Sequence, residues 1–169
     1  AVKMNRFEPE KEMGPGGKVP APGESSPETI KEQLKGRDFL TLAELSCAEI
    51  NWLLHHAAEL KRWQKEGRPH QLLPGKVLGM IFEKPSTRTR VSFETGMIQL
   101  GGQAIFLSRD DIQLSRGENL EDTARVLSRY VDGVMIRTFG HDGLVTFAQA
   151  ADVPVINGLT DSHHPAQVL

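Results

Sequence analysis

A run of hydroxyl and guanidinium groups directly follows the apolar segment "VLGMIF". In "PSTRTR", Ser86, Thr87 and Thr89 supply hydroxyl donors, and Arg88 supplies a planar guanidinium fork that fits phosphate oxygens. This is where a strand gives way to a helix, and the unpaired N–H groups at a helix N-terminus also favour an anion. The residues therefore indicate phosphate binding. The alternative is an ordinary capped helix with solvated arginines.

Polar residues that follow later apolar segments could complete such a site. Arg137 ends the segment 133–137, and His164 and Gln167 follow the next one. Because His164 and Gln167 are three residues apart, both can face one way at the start of a helix. Arg137 and His164 would donate to a carbonyl oxygen, and Gln167 would accept from an amide NH2. Singly, Arg137 could instead make a surface ion pair, and His164 could be a loop histidine beside His163.

Alternating strands and helices must position these groups. Ser46 and Glu49 have capping-box spacing at the start of the first predicted helix, and Gly67 and Pro69 end that helix. The strands are apolar on both faces, which predicts an α/β fold with a doubly wound parallel sheet and helices on both faces. Such sheets bind ligands at the carboxyl ends of their strands. The predicted strands are 76–82, 104–107, 133–137 and 153–156, and the later helices are 86–100, one from Asn119, 141–151 and one opened by "DSHHPAQVL".

Composition bounds the organisation of the chain. The 169 residues, 38% of them hydrophobic, suffice for one domain. Residues 1–28 are rich in Pro, Gly, Glu and Lys, which predicts a disordered or loosely docked arm, and 29–169 form the predicted domain. The ending "DSHHPAQVL" resembles a loop that opens a new helix, so we expect the chain to be the first half of a longer protein.

Charge and cysteine content indicate the environment of the protein. A net charge of −2 gives no basic field for nucleic acid, and no apolar run approaches the ~20 residues needed to cross a membrane. The single cysteine allows no internal disulfide and indicates a reducing compartment, the cytoplasm. The mitochondrial matrix is the alternative if the arm is a processed remnant. No metal site is predicted, because the histidines occur only as the adjacent, diverging pairs 55–56 and 163–164 or singly.

Three segments carry a resemblance to a known family. "EKPSTRTRVSFETG", "DDIQLSRGENLEDTARVLSRYVDGVMIRTF" and "VPVINGLTDSHHPAQVL" resemble the amino-terminal half of the ornithine carbamoyltransferases, over about 35–169. The resemblance implies the carbamoyl-phosphate domain, a homotrimer or a multiple of trimers, and no metal or organic cofactor. It places Gln113 in the active site of the neighbouring subunit. It places four residues on the phosphate and three on the carbamoyl group: Ser86, Thr87, Arg88 and Thr89, and Arg137, His164 and Gln167.

The implied reaction is attack by the δ-amine of ornithine on the carbamoyl carbon, which gives citrulline and phosphate, in arginine biosynthesis or the urea cycle. Arg88, Arg137 and His164 would be the catalytic residues, stabilising charge on the carbonyl oxygen and the departing phosphate. The loops with which the family's second domain binds ornithine do not occur in this sequence. The chain alone is therefore expected to be catalytically incomplete. Ala166 also stands where the family often has Cys.

Other functions stay open at this point. The aspartate enzymes usually carry Lys at the position of Gln113, so Gln113 favours ornithine or a related amine. Putrescine, N-acetylornithine and aspartate remain possible acceptors. A non-catalytic phosphate-binding or trimer-forming fragment is the alternative from another class. A nucleotide-binding module is disfavoured, because the sequence has no G-x-x-x-x-G-K-[ST] and no G-x-G-x-x-G after a strand.

Overall fold

The computed structural model describes residues 26–109, 112 and 119–169. Within these residues no helix combines the length and the apolar character needed to span a bilayer. The chain order is α1 (Pro27–Leu34), a 3-10 helix (Leu42–Glu44), α2 (Cys47–Lys65), β1 (Val77–Phe82), α3 (Thr87–Gln99), β2 (Gln103–Ser108), α4 (Leu120–Leu127), β3 (Gly133–Arg137), α5 (His141–Ala150), β4 (Val155–Leu159) and α6 (Pro165–Val168).

The four strands form one parallel sheet in the order β2-β1-β3-β4. From β1 the chain runs outward to β2, and it then returns to place β3 on the other side of β1. The winding direction therefore reverses between β1 and β3, where Phe82 is paired with Arg137. The predicted doubly wound parallel sheet is confirmed. Its ligand crevice is expected outside the carboxyl ends of these two strands.

Alternating side chains of the strands build two cores, one on each face of the sheet. On one face α4 and α5 cover a cluster that includes Ile81, Val134, Ile136, Phe147 and Val155. On the other face α3 covers a second cluster that includes Met80, Phe82, Met135, Phe93 and Met97. The predicted helices on both faces are therefore confirmed.

Caps fix the starts of the predicted helices. At α2, the Glu49 N–H donates to Ser46 Oγ over 3.3 Å, and the Ser46 N–H donates to Glu49 Oε2 over 2.7 Å. This confirms the capping box read from the sequence. The Ser46 N–H and Ser46 Oγ both donate to Glu49 Oε2, and these two hydrogen bonds hold the pKa of the Glu49 carboxyl below its usual range. At α4, the helix predicted from Asn119, the Asn119 side chain accepts from the Glu121 N–H.

The chain departs from the sequence prediction at two places. Helix α1 was not predicted, and it begins at Pro27, two residues inside the proposed arm 1–28, because Ser26 accepts from the Thr29 N–H and Pro suits the first turn. The other residues of the arm, 1–25, lie outside the described part of the chain. Strand β4 begins later than predicted and continues to Leu159.

A further segment lies along β4 on the side away from β3. The Phe39 N–H donates to the Val155 carbonyl over 2.8 Å, and the Asn157 N–H donates to the Phe39 carbonyl over 2.9 Å. Phe39 thus forms an isolated parallel bridge with Ile156. The bridge brings the backbone that precedes α2 next to the carboxyl half of β4.

Candidate functional site

The N-terminus of α3 presents donors at the carboxyl end of β1. Ser86 Oγ accepts from the Thr89 N–H over 3.3 Å and donates to Thr89 Oγ1 over 3.0 Å. The Arg90 N–H is bonded to the Ser86 carbonyl. Among the described residues this leaves the N–H groups of Thr87 and Arg88 without an acceptor. An anion placed there would receive both donors and the favourable end of the helix dipole.

The two arginines of "TRTR" have different surroundings. Arg90 Nε donates to Glu94 Oε1 over 2.9 Å, and its guanidinium lies 3.9 Å from the centroid of the Phe106 ring. Arg90 therefore has a structural role within α3 and against β2. Arg88 is exposed and forms no ion pair within the described part of the chain. Its guanidinium is thus available to an anion at the start of α3.

Arg137 joins this helix end from the neighbouring strand. Its Nη1 lies 3.5 Å from Thr89 Oγ1 and 3.5 Å from the Gly158 carbonyl oxygen. Its Nε is buried and has no partner among the described residues. The pairing of β3 with β4 shifts register between Ile136 and Arg137, so that Arg137 is opposite Leu159. The alternative of a surface ion pair for Arg137 is not observed among these residues.

His164 approaches the same point from the loop after β4. It occupies the N-cap position of α6, and its buried Nδ1 has no hydrogen-bond partner in the described residues. Burial lowers the pKa of His164, and the positive charge of Arg137 lowers it further. Near neutral pH the ring is uncharged, with one N–H that can donate and one nitrogen that can accept. The loop-histidine role falls instead to His163, which is exposed and packs on the His141 ring at 4.6 Å between centroids.

The remaining predicted residues are less engaged. Gln167 is exposed in α6, and its backbone N–H donates to the His164 carbonyl over 3.1 Å, while its side chain makes no hydrogen bond within the described chain. Gln113 lies outside the described residues, so its role stays a prediction. The fold thus gathers Ser86, Thr89, Arg137 and His164 at one edge, with Arg88 beside them.

Sequence reasoning missed polar groups that connect the loops around this edge. The Glu83 N–H donates to the Arg137 carbonyl over 2.8 Å, and Thr138 Oγ1 donates to the Glu83 carboxylate. Lys84 forms an ion pair with Asp161, and its Nζ lies 4.3 Å from the centroid of the Phe139 ring. Glu83 and Lys84 directly follow β1 and Thr138 directly follows β3, which is the sequence signal that could have identified them.

A large cavity lies elsewhere, at the amino ends of the strands. It is a groove of about 850 Å³ lined mainly by apolar side chains, among them Leu73, Leu78, Phe93, Met97, Leu100 and Ile156. A large apolar pocket is the usual first candidate for a binding site. Here the donors and cations converge at the opposite edge of the sheet, so the carboxyl edge is the better candidate.

Fold and site together define the class: a doubly wound α/β domain with a candidate anion site at its switch point. Residues 37–169 match the family model of the aspartate/ornithine carbamoyltransferases, carbamoyl-P binding domain. The chain belongs to this family.

This chain matches only part of the length of each similar protein. An ornithine carbamoyltransferase of Anoxybacillus flavithermus is 62% identical over 141 residues, which are 83% of this chain and 45% of that protein. The structure of ornithine carbamoyltransferase from Pyrococcus furiosus is 56% identical with a TM-score of 0.76, covering 78% of this chain and 42% of that one. Aspartate transcarbamoylase of Trypanosoma cruzi, solved with carbamoyl phosphate and aspartate, is 31% identical with a TM-score of 0.75, covering 80% and 45%. The chain therefore spans less than half the length of these relatives.

Proposed function

We propose that this chain supplies the carbamoyl-phosphate site of an ornithine carbamoyltransferase. The observation that carries the proposal is that Arg137 lies beside the N-terminus of α3 and that His164 lies near Arg137. A phosphate and a carbonyl in one small molecule need this combination of a helix end, hydroxyl groups and two further donors. The family to which the chain belongs, and the names of its relatives, support ornithine as the acceptor.

In the proposed complex, the phosphate lies on the start of α3, where Ser86, Thr87, Arg88 and Thr89 donate to its oxygens. Arg137 and the neutral ring of His164 donate to the carbamoyl oxygen. The Gln167 oxygen accepts from the carbamoyl NH2 group. These contacts orient the carbamoyl carbon toward the amine and hold the leaving phosphate in place.

The δ-amine of ornithine attacks the carbamoyl carbon and forms a C–N bond. The bond from this carbon to the phosphate oxygen breaks, and its electron pair leaves with the phosphate. The attacking nitrogen loses a proton to the departing phosphate, and citrulline and phosphate result. Arg137 and His164 stabilise the negative charge that develops on the carbonyl oxygen, and Arg88 stabilises the phosphate. Removing one such preorganised donor slows comparable reactions by roughly 10²–10³-fold.

The complete assembly is also part of the proposal. Ornithine would be bound by the remainder of the protein, which lies outside this chain. Gln113 would reach the site of a neighbouring subunit in a homotrimer or a multiple of trimers. The enzyme would act in the cytoplasm, or in the mitochondrial matrix if residues 1–28 are a processed remnant, and would belong to arginine biosynthesis or the urea cycle.

Calorimetric titration of the 169-residue chain with carbamoyl phosphate tests the proposal, with the mass of the protein checked by light scattering. We expect saturable binding that inorganic phosphate displaces. The variant Arg137→Ala should bind more weakly while its circular dichroism spectrum stays native. A folded chain that binds neither carbamoyl phosphate nor phosphate would contradict the proposal for this chain.

A further inference from the structure

Asn157 is a polar residue in the interior of an apolar sheet. Its exposed fraction is 0%, the same as that of Val155, which lies two positions earlier in β4 and belongs to the apolar core. A buried amide is costly unless its donors and its acceptor are all satisfied. The contacts of Asn157 therefore show what the residue holds in place.

The amide group of Asn157 uses both its donors and its acceptor. Nδ2 donates to the Leu40 carbonyl over 2.9 Å and to the His163 carbonyl over 3.3 Å. Oδ1 accepts from the Leu159 N–H over 2.9 Å. One side chain thus connects the segment beside β4, the end of β4 and the loop that follows it.

Two of these contacts lie next to residues of the candidate site. The His163 carbonyl belongs to the peptide unit that leads into His164. The same carbonyl accepts from the Thr160 N–H over 2.9 Å, and the His163 N–H donates to Thr160 Oγ1 over 3.1 Å. The turn 160–163 is therefore closed on itself, and Asn157 ties it to the strand. The backbone position of His164 follows from that attachment.

The other of these two contacts, at Leu159, lies opposite Arg137. Leu159 is the partner of Arg137 across the register shift, and the Gly158 carbonyl lies 3.5 Å from Arg137 Nη1. Leu159 has a backbone φ of 153°, a value that residues other than glycine rarely adopt. Asn157 Oδ1, the side-chain amide oxygen, accepts from the N–H of this residue and so maintains the irregular strand end against which Arg137 lies.

We propose that Asn157 is a positioning residue that sets where His164 and Arg137 lie relative to the N-terminus of α3. The functional part of this inference rests on the carbamoyl-phosphate site proposed above. Asn157 would not touch the ligand. It acts through the backbone of the turn 160–163 and of the strand end at Leu159, which carry the two donors.

A positioning role and a merely structural role make different predictions. If Asn157 has only a structural role, its removal lowers the free energy of unfolding. The molecules that remain folded then keep the native geometry of the site. A positioning residue changes the site in the folded protein. The pKa of His164 reports on this change, because burial and Arg137 lower that pKa only while the ring stays in place.

The test compares Asn157→Ala with Val155→Ala. Both residues are fully buried on the same face of β4, but the Val155 side chain makes no hydrogen bond. The pKa of His164 is measured by NMR titration of its ring protons, and carbamoyl-phosphate affinity is measured by calorimetry. In Asn157→Ala we expect the His164 pKa to rise toward its ordinary value and the affinity to fall by about 10- to 100-fold. Val155→Ala should lower the free energy of unfolding and leave both the His164 pKa and the carbamoyl-phosphate affinity unchanged.

A milder variant keeps the test decisive if Asn157→Ala does not fold. Thr160→Val preserves side-chain shape but removes the hydroxyl that accepts from the His163 N–H. It should raise the His164 pKa in the same direction, by less. The pKa of His164 is then compared among the folded variants. If it is the same in the Asn157 and Thr160 variants as in Val155→Ala, the positioning role is wrong. If the unaltered chain binds no carbamoyl phosphate, the proposed function fails instead, and the pKa comparison still decides the positioning role.

Discussion

Within "STRTR", two neighbouring arginines serve different purposes, and a matched pair of substitutions separates them. Arg90 is held by Glu94 and by the Phe106 ring, whereas Arg88 has no ion pair in the described residues. We expect Arg88→Ala to abolish measurable binding of carbamoyl phosphate, because it removes the forked cation of the phosphate site. Arg90→Ala should leave the affinity within about twofold and cost about 0.5–1 kcal/mol of stability. Calorimetry and urea unfolding measure both effects, and unchanged affinity in Arg88→Ala would end the proposal.

His164 gives the stability a defined dependence on pH. Its pKa is lowered in the folded protein, so the unfolded chain binds more protons between the folded value and the ordinary value of about 6.5. The stabilisation is complete above about 6.5 and decreases as the pH falls toward the folded value. His164→Gln removes this contribution. The urea midpoint of the unaltered chain should therefore fall more between pH 7.5 and pH 5.5 than that of His164→Gln.

Two carboxyl groups with lowered pKa values also make stability depend on pH, but in a different pH range. Hydrogen bonds from Ser46 lower the pKa of Glu49, and hydrogen bonds from Lys76 and the Val77 N–H lower the pKa of Asp132. Their contributions are present above the ordinary carboxyl values and are lost only as the pH falls through the lower folded values. The pH range in which these carboxyl contributions are lost lies below the range in which the contribution of His164 changes. An identical fall of the midpoint in both proteins would show that His164 is not desolvated.

At the scale of the element, the penultimate residue of β4 is a glycine, Gly158, with little room around it for a side chain. A Cβ on Gly158 would lie 2.3 Å from Met135 Sδ and 3.2 Å from the Ile136 carbonyl oxygen. The sulfur could move, but the backbone oxygen belongs to the strand pairing beside Arg137. We expect Gly158→Ala to destabilise the protein by about 1–3 kcal/mol, measured by urea unfolding.

Gly96 in α3 is the matched position for that substitution. A Cβ there meets nothing within 4 Å, and the residue lies inside a helix. Gly96→Ala should stabilise the protein by about 0.5–1 kcal/mol, because alanine loses less backbone entropy than glycine. Equal effects of the two substitutions would mean that close packing at Gly158 does not limit the strand end.

Local patterns made most of the elements predictable. Strand β3 agrees with its prediction because the apolar residues 134–136 follow Gly133 and lead directly into Arg137. The extension of β4 to Leu159 could not be predicted, since Asn157 fits a buried strand only through partners as distant as Leu40. Helix α1 was missed because Ser26 and Pro27, a good cap and first residue, stand at the end of a stretch rich in Pro and Gly.

At the scale of the whole molecule, the position of the site followed from topology. Ser86, Arg137 and His164 are far apart in the chain, and parallel strands bring their carboxyl ends to one edge. The register shift beside Arg137 and the turn held by Asn157 were invisible in the sequence, because both depend on backbone contacts between segments. The resemblance, and not the spacing of residues, supplied Gln113 as a partner of the site.

The proposed role of Gln113 in the site of a neighbouring subunit, within the proposed homotrimer, can be tested in the complete protein. Arg88→Ala subunits and Gln113→Ala subunits should each be nearly inactive as homotrimers. After reassortment, each mixed trimer has one site with native Arg88 from one subunit and native Gln113 from its neighbour, so about a quarter of the sites should recover. Citrulline formation measures this recovery, and native mass spectrometry verifies that mixed trimers have formed. A site contained within a single subunit predicts the opposite result, because no mixed trimer would then combine both native residues, and reassorted trimers would stay inactive.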